Sequence, residues 1–233
     1  MMSLRTLAAV LILACGVSLA SAQEGKPNDC NGIGFDMKRP LTVSTVTAKP
    51  RSYFVKSAWE NEACPADTDA CQRKAYLVPG DLVLTGRTLG PYTCVAYQSP
   101  RDKKQIWTNG WMPAMALAPI APMASPKPSD WIGTWTHTGG EITIERGKNG
   151  KLTIEGEQVY PAAQSVHTGV ITAEIKPSDM MLAFADDGSV AFDKAESDAC
   201  LVRMQRIGAL LLVEDNGGCG GSMVTFTGLY RRK

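Results

Sequence analysis

The chain has 233 residues, and its 24 basic side chains against 23 acidic ones leave a formal net charge of +1. So small an excess excludes the basic footprint of a nucleic-acid-binding protein, and no nucleic acid is expected among its partners. The charge is unevenly spread, with 13 basic and 10 acidic residues over 23–130 and 10 and 13 over 131–233, which suggests two modules.

Arg5, the apolar run from Leu7 to Leu13 and the closing Ala20-Ser21-Ala22 make residues 1–22 a secretory signal peptide, cleaved before Gln23. The run is shorter than the roughly 20 apolar residues of a membrane span, and no transmembrane segment is expected later in the chain. A minor alternative is a lipoprotein anchored at Cys15. Export bears on the other six cysteines, Cys30, Cys64, Cys71, Cys94, Cys200 and Cys219, because an even number in an oxidising compartment favours disulfides. Four fall in the first module and two in the second. Cys64 with Cys71, Cys30 with Cys94 and Cys200 with Cys219 is the favoured pairing, with the connectivity over residues 30–94 left open. A zinc site would want close cysteine pairs, and this chain has no C-x-x-C and only His137 and His167 to add, so no metal is expected. The expected location is periplasmic or secreted.

Residues 23–39 read as an N-terminal arm tied down by Cys30. Leu41 to Val46 and Ser52 to Val55 carry the β-branched and aromatic residues of short strands. The polar stretch from Trp59 to Arg73 is a loop pinned by its two cysteines. Pro79-Gly80-Asp81 turns into a strand at Leu82 to Leu84, Thr93 to Tyr97 makes another, Ser99 to Lys104 is a hairpin tip, and Ile106 to Trp111 returns. Met112 to Leu117 would be a helical turn.

The stretch from Tyr76 to Leu117, with its Pro-Gly-Asp opening and Gly-Trp-Met-Pro close, resembles a bacterial SH3 (SH3b) module. The resemblance implies a small five-stranded barrel over residues 23–117 that binds and does not catalyse. It also implies that Tyr92, where the strand after the variable loop opens, lines a ligand groove, and that Trp111 and Pro113 form the closing corner. Ala116 stands where the eukaryotic domains keep a groove tyrosine, which points away from proline-rich peptides. Tyr92, Tyr97, Trp107 and Trp111 are the candidate ligand-binding residues. Core packing competes for each of them, since a small barrel needs aromatics of its own.

Residues 118–130 hold four prolines and read as a stiff linker that can be no interior strand or helix. Residues 131–233 open on Trp-Ile-Gly-Thr-Trp, similar to the start of lipocalin-like barrels. Eight strands follow, at Ile142 to Glu145, Leu152 to Glu155, Gly169 to Ile175, Met181 to Ala185, Val190 to Phe192, Leu201 to Arg206, Leu210 to Glu214 and Met223 to Tyr230. The fold class is therefore all-β, an SH3-like small barrel followed by an antiparallel barrel or sandwich of about eight strands. Asn149-Gly150 is a hairpin turn, and Asp186-Asp187-Gly188 another. The glycines around Cys219 suit a tight turn tied back to Cys200, with calcium or anion binding by Glu214 and Asp215 as the rival reading.

The chain has no G-x-S-x-G, no H-E-x-x-H and two histidines. No enzyme and no cofactor is expected. The expected function is an exported, non-catalytic binding protein of the cell envelope whose SH3b-like module holds a peptidoglycan peptide or an envelope protein. The alternatives are a periplasmic inhibitor of lysozyme-type hydrolases and a small-ligand carrier using the C-terminal barrel.

Overall fold

The structure is a computed structural model that describes residues 27–99, 106–178, 180–196 and 198–233. The expected signal peptide, Cys15 and most of the hairpin tip from Ser99 to Lys104 lie outside these residues. The described chain is all-β and built on two antiparallel sheets.

The first sheet comprises β1 (Thr42–Val46), β2 (Ser52–Val55), β3 (Gln72–Leu77), β4 (Leu82–Leu89), β5 (Tyr92–Gln98), β6 (Trp107–Pro113) and β7 (Leu117–Ile120). Their order is β3-β2-β6-β5-β4-β1-β7. The five strands read from the sequence form its centre, and the two additional ones are its edges. Both edges hid for physical reasons. All but the last residue of β3 are exposed or half-buried, so it carries no apolar alternation. Pro119 made β7 look like part of a linker, and a proline is tolerated where one side of a strand has no partner. A 3₁₀ turn at Ala114–Ala116 occupies the expected helical position.

A one-turn helix α1 (Pro128–Trp131) leads to the second sheet. This comprises β8 (Gly133–His137), β9 (Gly140–Arg146), β10 (Leu152–Pro161), β11 (Val166–Ile175), β12 (Met181–Ala185), β13 (Leu201–Ile207), β14 (Leu210–Asp215) and β15 (Gly228–Arg232). In the order β11-β10-β9-β8-β15-β14-β13-β12 they form a nearly closed barrel. Its core gathers Trp131, Trp135, Ile142, Ile154, Phe184, Phe226 and Tyr230. At the β9–β10 turn Asn149 and Gly150 take φ of 54° and 75°, the left-handed values that an Asn-Gly pair accepts at low cost.

Two of the eight expected strands are corrected. Val190 makes a single bridge to Ala185, and Phe192 opens a 3₁₀ turn, drawn out of line by an edge-on contact with Phe35 of the arm. Met223 to Thr227 is not a strand, because the Asp215 carboxylate takes the bonds that a neighbouring strand would. Its Oδ1 accepts from the backbone N–H of Phe226 and Thr227 and from the hydroxyls of Thr225 and Thr227, and its Oδ2 accepts from the Gly217 N–H. A carboxylate with that many donors is a structural hub, and Glu214 beside it is taken up by Arg203. Neither carboxylate is left over for the calcium reading.

All three favoured disulfides are present, Cys30–Cys94, Cys64–Cys71 and Cys200–Cys219. Three such bonds suggest an oxidising, extracytoplasmic location. Among the described residues no helix is long and apolar enough to cross a membrane.

The sheets do not stand apart. Leu41, Val43, Leu84 and Ala96 of the first half pack with Ile207 and Leu212 of the second in one buried cluster. The proline-rich stretch is docked as well, through β7 and through the Met123 N–H donated to the Arg206 carbonyl. The candidate site lies on the seam between the halves.

Candidate functional site in the seam between the two sheets

A cleft of about 410 Å³ opens along this seam. Its first wall comes from the turn at Gly80 and Asp81, the end of β5 with Tyr97 and Gln98, and Trp107 at the start of β6. Gln98 and Trp107 are cross-strand partners, so their side chains stand on one face of the sheet. The second wall comes from Thr136 and His137 at the end of β8 and from Leu229 and Arg231 of β15, with Thr136 opposite Arg231 in register. Trp107, Leu84 and Ala96 also border a second recess of about 320 Å³, lined further on by Phe35, Asn109 and the loop from Asp215 to Gly217. Trp107 is thus the partition between two adjoining hollows.

Of the four aromatics singled out in the sequence, the structure turns Trp107 toward the cleft, whereas Tyr97 borders it from β5 but has its side chain on the opposite face of the sheet, packed against the cluster of Val46, Phe54, Val83 and Met112. Trp111 is 0% exposed and Tyr92 7% exposed, and both belong to the buried cluster that includes Cys30, Cys64, Cys71 and Cys94. The Trp111 indole N–H donates to the Asn28 carbonyl at 2.9 Å, which satisfies it inside the core. Burial raises the Tyr92 phenol, and the nearby Asp67 charge adds to this. These two rings shape the module from within.

The histidine at the cleft had no assigned role in the sequence. His137 stacks on Tyr230 with ring centroids 4.8 Å apart, and its Nε2 is hydrogen-bonded to the Gln98 side-chain oxygen across the seam. Gly228 makes room for it, since a β-carbon there would come within 2.4 Å of Nε2. An N–H on Nε2 donating to Gln98 leaves Nδ1 as a bare acceptor. Among the described residues neither that Nδ1 nor the Gln98 Nε2 has a partner, although both are buried. With so little to solvate a cation, burial lowers the imidazole from 6.5 to about 4. The Tyr230 phenol beneath it is raised well above its usual value, first by burial and then by the Asp215 charge. His167 lies elsewhere, half-buried on β11.

A pH dependence follows. The unfolded chain protonates His137 near 6.5 and the folded one only near 4, so the unfolded state binds more protons between those values. The stability contributed by neutral His137 is complete above about pH 6.5 and is lost as pH falls toward 4. The loss should reach about 2–3 kcal/mol. Denaturant unfolding at pH 7.5 and 4.5 should show a gradient smaller by that amount in His137→Gln; equal gradients would contradict the assignment.

The fold and cleft define a disulfide-tied, all-β protein with a ligand-sized hollow between two sheets. No family model, no curated protein and no solved structure matches the chain. Among the described residues no group of three His, Cys, Asp or Glu side chains is placed to hold a metal ion.

Proposed function

We propose that this is an exported, non-catalytic binding protein of the cell envelope, periplasmic or secreted. Its SH3b-like first half supplies the recognition surface, and the seam cleft takes a peptidoglycan stem peptide or an extended segment of an envelope protein. The observation that carries this reading is the cleft itself, where the half-buried Trp107 meets hydrogen-bonding groups of both signs. Hollows that combine apolar rings with a few oriented polar groups are the usual form of ligand sites. Gln98 offers an amide, Asp81 a carboxylate and Arg231 a guanidinium, which suits a ligand that carries peptide bonds and both charges.

The test is retention on purified peptidoglycan sacculi. Wild type should sediment with them, and Trp107→Ala should weaken retention at least about tenfold, as removal of a central aromatic anchor does. An unchanged circular dichroism spectrum and melting midpoint would show that the variant still folds. Inhibition of lysozyme by protein that does not bind sacculi would overturn the reading in favour of the inhibitor alternative.

A further inference from the structure

A second cleft, of about 550 Å³, lies against the N-terminal arm and shares no lining residue with the seam cleft. One wall is the arm from Asp29 to Thr42, another is the middle of β4 at Thr85 to Arg87, and Trp59 stands at its mouth. This tryptophan is 61% exposed, whereas Trp111, Trp131 and Trp135 are fully buried. An indole left in water forgoes the burial that such a ring ordinarily gains, so an exposed one beside a hollow calls for an explanation.

Its backbone is held by hydrogen bonds on every side. The Trp59 N–H donates to the Asp29 carboxylate at 3.0 Å and the Ala58 N–H to the Asn28 carbonyl at 3.2 Å. The Glu60 and Asn61 N–H groups both donate to the Ser57 carbonyl, and the Ser57 hydroxyl accepts from the Cys30 N–H. Cys30–Cys94 and Cys64–Cys71 close the framework on either side. A ring presented on so constrained a backbone leaves only its own two side-chain torsions to be ordered when a ligand covers it.

The lining indicates which ligand. Asn31 contributes an amide, and Thr42 and Thr85 contribute hydroxyls that are bonded to each other at 2.6 Å and keep lone pairs with which to accept from a ligand. The charges balance, with Asp29 and Asp36 against Arg39 and Arg87. They are also engaged with one another or with backbone: Arg39 Nε is 2.7 Å from the Asp36 carboxylate, and Arg87 donates to the Asp29 carbonyl and lies over the Trp111 ring. A strongly charged ligand would have to break such pairings. A neutral ligand with one flat C–H face and a rim of hydroxyls would not, and a pyranose ring is such a molecule. Its C–H face covers the indole while its rim exchanges hydrogen bonds with side chains of both donor and acceptor type. We propose that this cleft is a carbohydrate site in which a neutral sugar ring stacks on Trp59, whether as a free oligosaccharide or as a unit of a glycan polymer.

Titration calorimetry with soluble chitotetraose and cellotetraose, alongside sedimentation with insoluble chitin and cellulose, tests this and separates the two sources. At least one of these should bind saturably. Trp59→Ala should weaken that binding at least about tenfold, and Trp59→Phe, which keeps a flat apolar face, should stay within about threefold of wild type. Trp59 is exposed, so both variants should keep the wild-type melting midpoint. Trp107→Ala should leave sugar binding unchanged, which separates this site from the seam cleft. No saturable binding to any of the four carbohydrates, or wild-type affinity in Trp59→Ala, would overturn the proposal. So would a loss that follows Trp107 in place of Trp59. Sacculi carry sugar rings too, so retention through the seam is read in the Trp59→Ala background, where Trp107→Ala should still weaken it.

Discussion

Replacing Glu214 by Ala is expected to destabilise the protein by about 3–5 kcal/mol, the cost of stranding a buried charge. Arg203 and Glu214 face each other on β13 and β14, with side chains 3% and 1% exposed. The guanidinium donates to both carboxylate oxygens, from Nε at 2.8 Å and from Nη2 at 2.7 Å. Its remaining N–H groups reach the carbonyls of Met37, Asp36 and Arg39 at 3.0, 2.9 and 3.2 Å, while Glu214 also accepts from the Leu41 N–H. Phe35 and Phe192 lie beside the cation. The pair therefore clamps the arm of the first half onto the barrel of the second. Truncating either partner leaves the other without its counter-charge in a medium that cannot solvate it. Arg203→Met with Glu214→Leu removes both charges and restores apolar volume, so the double variant should be more stable than either single one. Denaturant unfolding of all four proteins checks this. A single-variant loss below about 1 kcal/mol, the range of exposed pairs, would show that water reaches the clamp.

The second large effect concerns the disulfides, whose ranking follows from the chain that each one closes. Cys30 and Cys94 are 64 residues apart, Cys200 and Cys219 are 19, and Cys64 and Cys71 are 7. Loop-closure entropy then gives about 4, 3 and 2 kcal/mol respectively. The first bond also ties the arm to β5 beside Trp111, so its loss frees the segment that carries the carbonyls around Arg203. The paired Ser variants at Cys30 and Cys94 should show the lowest melting midpoint of the three, those at Cys200 and Cys219 an intermediate one, and those at Cys64 and Cys71 the highest. A reversed order between the longest and the shortest loop would mean that native packing around the sulfurs, and not chain entropy, sets their contribution.

Much of this architecture could be read from residues alone because its signals are local. An Asn-Gly turn needs only its own backbone, an alternating strand only its own side chains, and an even cysteine count divided between two modules left one pairing in the second and three in the first. The two segments misread as strands were misread because a distant group intervened. Met223 to Thr227 has the composition of a strand, yet Asp215 takes its N–H groups. Phe192 is strand-like, yet it meets Phe35, which lies far earlier in the chain.

The site was legible only in part. Aromatic residues near the end of β5 and the start of β6 marked the region, but Tyr92 to Ala96 is buried at every position. No alternation along such a strand separates a core ring from a cleft ring. Trp107 and Trp111 stand on one face of β6, and whether the first meets a hollow and the second a disulfide is settled by what packs at each end of that face. The same holds for His137, whose hydrogen-bond partner Gln98 is 39 positions away and on the other sheet, and for Arg203, whose backbone acceptors lie more than 160 positions away. By itself the sequence determined the all-β class, most of the strands, the Asn-Gly turn and the cysteine pair of the second module, because backbone preference and side-chain period act over a few residues. Only the tertiary structure decided the seam, the clamp and the exposure of Trp59, because burial and electrostatics depend on neighbours in space whose chain separation no local pattern records.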